Sequence, residues 1–243
     1  MNQAELFEEL SRPAVLQPPD PAVPVTLDNA ATPALSELFE ISIDAYYTAL
    51  YARMSELPIE AEISRFVVKV WEAAAGTING GSANGRTPEA RAAAEKAASD
   101  RGDPDVLVVQ KAAYKVQHEI HRLEGFLRFN PDSCGVYIAR CAPDHFTLPA
   151  LAEHFFLRFG ETPWVIIDEK RKLCLYRKRD CQPILIPSDS AFISAPEPNA
   201  ADDPWENLWR LYHRSVNNES RKNVKLQRQF MPERYRKYLS ELK

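Results

Sequence analysis

The sequence predicts an α+β protein with a helical N-terminal half, a small antiparallel sheet built as hairpin, helix, hairpin, and a basic helical C-terminal tail. Three observations predict it. Up to Leu123, apolar side chains recur at steps of three and four, the spacing of one helix face. Between Phe126 and Arg177, short β-branched and aromatic runs bracket turn sequences. From Trp205 onward amphipathic spacing returns, now with an excess of Lys and Arg. At 243 residues the chain suits a proline-rich extension over 1–30, a core domain over 31–204 and a helical segment over 205–243 packed on that core.

The extension carries Pro13, Pro18, Pro19, Pro21 and Pro24 after a short helical pattern at Leu6–Leu10. Thr32-Pro33 has the hydroxyl cap and N1 proline of a helix start, and that helix should bury Leu35, Leu38, Phe39, Tyr46 and Leu50. After Pro58, Ile63, Phe66, Val67, Val70, Trp71 and Ala74 define a strongly amphipathic helix. Residues 76–85 hold four of the eight glycines, so they read as a loop. Thr87-Pro88-Glu89 opens an alanine-rich helix expected to face solvent. Asp103-Pro104-Asp105 opens the next, with Val106, Val109, Ala113, Val116, Ile120 and Leu123 on its core face and Gly125 as its expected left-handed stop.

Phe126–Phe129 and Val136–Cys141 then read as strands around the turn Asn130-Pro131-Asp132-Ser133. Leu148, Leu151, Phe155 and Phe159 mark a helix closed by Gly160. Trp164–Asp168 and Leu173–Arg177 form a hairpin across Glu169-Lys170-Arg171. A second proline-containing linker spans 187–204, and the tail follows in pieces divided by Asn217-Asn218 and Pro232.

Composition excludes several classes. No apolar run is long enough to span a bilayer, so no membrane partner is expected. The first residues lack a basic region and an apolar core, so a cytoplasmic location is expected. Cys134, Cys141, Cys174 and Cys181 form two Cys-x6-Cys pairs, too widely spaced for a zinc knuckle, and free thiols are expected. No phosphate-binding glycine loop, Gly-x-Ser-x-Gly elbow or His-Glu-x-x-His helix occurs, and neither a cofactor nor a metal is expected.

Charge is the more informative signal. Residues 1–110 hold 8 Lys and Arg against 17 Asp and Glu, whereas residues 205–243 hold 10 against 4. An acidic first half and a basic tail point to a polyanion partner at one end, or to the two ends pairing with each other. Arg221, Lys225 and Arg228 share one side of a tail helix with Asn223 and Gln227 beside them. Arg and Lys neutralise phosphates, and Asn, Gln and Arg also read base edges, so these five are the candidate nucleic-acid contacts. A solvated basic helix explains the same composition equally well. His121, Arg122 and Arg128 flank the end of the long helix, and His154 and Arg158 lie one turn apart. With Asp168, they are the candidate catalytic residues.

His121-Arg122-x-x-Gly125-Phe126-x-Arg128-Phe129, His154-Phe155-x-x-Arg158-Phe159 and Trp164 with Asp168 together resemble a poorly characterised bacterial family described as DNA metabolism proteins. Arg221-x-Asn223-x-x-x-Gln227-x-x-x-Met231-Pro232-x-Arg234-Tyr235 is the most specific part. The resemblance spans about residues 106–243; the family's N-terminal strand with Tyr-Asp-Gly has at best Thr26-Leu27-Asp28-Asn29 as a counterpart. It implies DNA repair or modification, with DNA as a partner, a radical S-adenosylmethionine protein beside it, and a uracil-DNA-glycosylase-like domain as a further associate. Three functions follow: a DNA-associated accessory of the radical protein, a repair enzyme with a His/Arg site, or a protein-interaction module.

Overall fold

Ser42 shows how the helical half is divided. Its backbone is extended (φ −147°) and its hydroxyl accepts from the Ala45 amide, so the single helix expected after Pro33 becomes two, α1 (Leu35–Ile41) and α2 (Ile43–Met54). A side chain that caps the next turn competes with continuing the previous one. The computed structural model describes residues 35–76, 87–132, 134–188, 204–221 and 223–239, with the side chains of 36, 204–206, 219 and 228 excepted. The proline-rich extension, the Thr32-Pro33 start, the glycine loop past residue 76 and the linker from 189 to 203 lie outside the described residues.

The chain divides into two compact units that interleave in sequence. The helical unit holds α1, α2, α3 (Glu60–Ala75), α4 (Pro88–Ala98), α5 (Pro104–Phe126) up to His121, and the segment Asp144–Thr147. Its core is Leu38, Ala45, Ala49, Phe66, Val67, Val70, Val106, Val109 and Val116. Phe39 and Trp71, expected inside, are each 39% exposed; Phe39 instead lies edge-on to Tyr46, with ring centroids 5.2 Å apart. The alanine helix α4 does not simply face solvent. Ala90 and Ala94 are fully buried, and α4 packs extensively on α3, because small side chains let two backbones approach closely. Glu119 is buried and accepts from the Asp144 and His145 amides at 3.0 and 2.8 Å, which pins that short segment to the unit.

Among the described residues the sheet unit begins at Arg122. Its five strands, β1 (Asn130–Pro131), β2 (Tyr137–Cys141), β3 (Trp164–Asp168), β4 (Leu173–Arg177) and β5 (Ile184–Pro187), lie in sequence order. The sheet is mixed, not antiparallel. β2 and β3 are parallel, with Tyr137 opposite Trp164 and Cys141 opposite Asp168. Between them runs α6 (Leu148–Phe159), and a helical crossover returns the chain to the end it left, which makes the joined strands parallel. The remaining pairs are antiparallel.

Phe126–Phe129 is not a strand. α5 runs on through Phe126, Leu127 still donates to the Leu123 carbonyl, and Gly125 lies inside the last turn without a positive φ. Gly160 does adopt the left-handed conformation (φ 53°) and closes α6 as its position suggests. α6 covers one sheet face, where Phe155 and Phe159 lie 6.2 and 6.4 Å from the Trp164 ring. Ile138, Val165, Ile167 and Cys174 form a buried cluster on the other.

The tail comprises α7 (Pro204–Val216), a 3-10 turn at Glu219–Arg221, α8 (Val224–Phe230) and α9 (Glu233–Arg236). Its end joins the sheet unit's core, with Tyr235 and Leu239 buried and Tyr235 5.6 Å from the Phe126 ring.

Candidate functional site

Residues at the C-terminal ends of the parallel pair β2 and β3 line an open cleft of about 500 Å³. In α/β sheets the crevice outside the carboxyl ends of parallel strands is where ligands gather, because the diverging loops leave space there. Arg140 projects from β2 beside its register partner Ile167, on the face opposite α6. The hairpin turn after β3 supplies Glu169, Lys170 and Lys172, Ser188 follows the end of β5, and Lys237 arrives from the tail. Four cations thus surround one carboxylate.

The turn is held by Asp168. Its buried carboxylate accepts from the Lys170 and Arg171 amides at 2.9 and 3.2 Å and from the Arg171 guanidinium at 2.9 Å. Arg171 also donates to the Pro143 carbonyl, and Lys172 takes a left-handed backbone (φ 57°) to complete the reversal. This structural work orients Glu169 and Lys172 toward the cleft. Glu169 accepts from the Tyr238 hydroxyl at 2.6 Å and from Lys237 Nζ at 3.2 Å, with Arg140 at 4.0 Å. Burial opposes its charge, but the Tyr238 and Lys237 hydrogen bonds and the nearby cations outweigh that and hold its carboxyl below the ordinary range. Burial and the Glu169 bond push the Tyr238 phenol up, so it stays a donor. Lys172 Nζ has no hydrogen-bond or ion-pair partner among the described residues.

The residues singled out in the sequence have varied local surroundings. His121 ends the helical unit's share of α5 and is exposed, and Arg122 opens the sheet unit. Arg128 donates to the Gly125 carbonyl at 2.8 Å, capping the end of α5, and its guanidinium lies 5.8 Å from the Trp209 ring. His154 Nδ1 is 3.8 Å from the Glu124 carboxylate, and its Nε2 is buried with no hydrogen-bond partner among the described residues. Arg158 is exposed, one turn along α6.

In the tail, Asn223 caps α8 by accepting from the Leu226 amide at 3.0 Å, and Gln227 accepts from Arg236 at 3.2 Å. Both side-chain amide oxygens are therefore engaged within the chain. Arg221 and Lys225 remain exposed with no partner among the described residues, and the Arg228 side chain lies outside them.

Sequence reasoning missed Arg140, Glu169, Lys172, Lys237 and Tyr238 as a group. The charged hairpin turn was the available signal, but only the parallel crossover brings Arg140 beside it. All four cysteines are free, and burial pushes the Cys174 thiol up to about 11, far from a reactive thiolate. No cluster of three His, Cys, Asp or Glu side chains suited to a metal occurs among the described residues. No described helix is long and apolar enough to cross a membrane.

Residues 89–241 match the family model of a domain of unknown function, DUF4130. No curated protein and no solved structure matches the chain.

Proposed function

The chain belongs to the DUF4130 family, and from that premise we propose that it is a DNA-associated accessory protein that holds nucleic acid for a partner's chemistry. The observation that carries this reading is the cleft, where Arg140, Lys170, Lys172 and Lys237 face one carboxylate that is itself held by Lys237 and Tyr238. A concave surface in which cations outnumber carboxylates four to one attracts anions, and the phosphate backbone is an extended anion that Lys and Arg neutralise. Arg221 and Lys225 add two exposed cations from the tail to the proposed phosphate contacts. The side-chain oxygens of Asn223 and Gln227 already accept bonds within the chain, which removes their bidentate base readout, so the proposed contacts are with phosphates.

The sequence resemblance supplies the partner, a radical S-adenosylmethionine protein, with a uracil-DNA-glycosylase-like protein as a further associate. A repair enzyme acting through His121, Arg122, Arg128, His154, Arg158 and Asp168 has less support. Asp168 is saturated by its own hairpin turn, and Arg128 caps a helix.

The test is binding of single-stranded and duplex oligonucleotides across a salt series, with the partner absent and present. Each duplex phosphate contact contributes a slope of about 0.9 log units of affinity per log unit of salt. Lys172→Ala should flatten the slope by about one contact, and Arg221→Ala with Lys225→Ala by about two, with unchanged circular dichroism. Parent-like affinity and slope in both variants would defeat the proposal.

A further inference from the structure

The helix α7 presents its apolar side to solvent. Leu208, Leu211, Tyr212 and Val216 are 55, 63, 55 and 58% exposed, at the three- and four-residue steps of one helix stripe. Arg210 and His213, by contrast, are partly buried. A 13-residue amphipathic helix turned outward in this way is short of a covering element, since no other described element packs extensively on it. Arg214 borders the stripe beside Leu211, and the whole segment 205–243 carries 10 Lys and Arg against 4 Asp and Glu.

We propose that the N-terminal segment of this same chain, residues 4–10, docks on that face. Its sequence is Ala4-Glu5-Leu6-Phe7-Glu8-Glu9-Leu10. At helical spacing Leu6, Phe7 and Leu10 fall on one side and Glu5, Glu8 and Glu9 on the other. The apolar side complements Leu208, Leu211 and Tyr212. The acidic side suits a border that includes Arg214, with three glutamates and no Lys or Arg in the first ten residues. Residues 11–34 separate this segment from Leu35, and a chain of 24 residues reaches up to about 80 Å. The inference is independent of the nucleic-acid reading, because it rests on an apolar face and an acidic amphipathic segment rather than on the cleft.

Hydrogen exchange of the full chain tests it. In the variant Leu6→Ser, Phe7→Ser, Leu10→Ser, exchange across 204–216 should rise at least severalfold, while 164–177 stays as in the parent. Glu5→Lys, Glu8→Lys, Glu9→Lys should give a smaller rise, because the apolar contacts remain. A synthetic peptide of residues 1–12 added to the serine variant should restore protection, more weakly at high salt. Parent-like exchange in both variants overturns the proposal. So does protection of 204–216 that follows protein concentration and a doubling of mass, which would make a second copy the occupant.

Discussion

The two units use the same charged residues in opposite ways. Among the described residues, the helical unit holds 8 Lys and Arg against 14 Asp and Glu, and the sheet unit 18 against 10. In the helical unit the cations of α3 are neutralised at once. Arg65 grips Asp105 through two hydrogen bonds of 2.8 Å, and Lys69 reaches Asp103 at 2.6 Å and Asp100 at 3.4 Å. Those hydrogen bonds hold the Asp103 and Asp105 carboxyls below their ordinary range. In the sheet unit cations collect around a single carboxylate, and Lys172, Arg221 and Lys225 have no partner among the described residues. Charge that is paired builds structure; charge that is left over is available to a ligand.

The largest effect should come from the cores, which charge does not touch. Phe66→Ala removes a fully buried ring from the helical unit and should cost about 3–5 kcal/mol in denaturant unfolding. Ile120→Ala, on the core face of α5, should cost about 2–5 kcal/mol. Under native conditions both folded variants should bind anions as the parent does. A cost below about 1 kcal/mol for Ile120 would mean that the buried face of α5 is misidentified.

That face was fully legible in the sequence, since Val106, Val109, Ala113, Val116, Ile120 and Leu123 are all buried. Periodicity reports burial directly, and the long helix offers six repeats of it. The hairpin from Trp164 to Arg177 was legible for the same reason, with a charged turn between two apolar runs. The parallel pairing of β2 with β3 was not, because strand direction depends on which end of the sheet α6 returns the chain to. The exposed Phe39 and Trp71 were misread because a periodic pattern cannot say where a neighbouring helix stops covering the face. The cleft depended on the pairing, so Arg140 and Lys237, 97 positions apart, carried no joint signal.

The next effect tests whether the cleft carboxylate is held as described. Tyr238→Phe removes a 2.6 Å bond to a half-buried Glu169 and should cost about 1–2 kcal/mol, the solvent exposure of the carboxylate reducing the usual charge-assisted value. Folding lowers the Glu169 pKa, so its charge stabilises the protein above the ordinary carboxylate range and that contribution is lost as pH falls below about 4.5. Glu169→Gln should therefore make thermal stability less steep in acid. It should also raise anion affinity, since it leaves four cations around the cleft with no opposing charge. A variant that keeps the parent's acid profile would show that the carboxylate is not the group being titrated.

The smallest effect should come from the paired cations of the helical unit, and it is the sharpest control on the comparison. Arg65 and Lys69 carry the same charge as Lys172, yet each sits against at least one carboxylate within 2.8 Å. Replacing both by Ala removes two positive charges from the chain, twice the number removed by Lys172→Ala. If net charge governed attraction, the double variant would lower DNA affinity and flatten its salt dependence more than Lys172→Ala. If unpaired charge governs it, the double variant should match the parent in slope and affinity to within about twofold, because counterions are released only where a cation replaces them at a phosphate. Both pairs lie at the surface, so the stability change should be small and should shrink as salt is added. A loss of slope in the Arg65 and Lys69 variant, with none in Lys172→Ala, would move the binding surface to the helical unit and reverse the assignment of the two units.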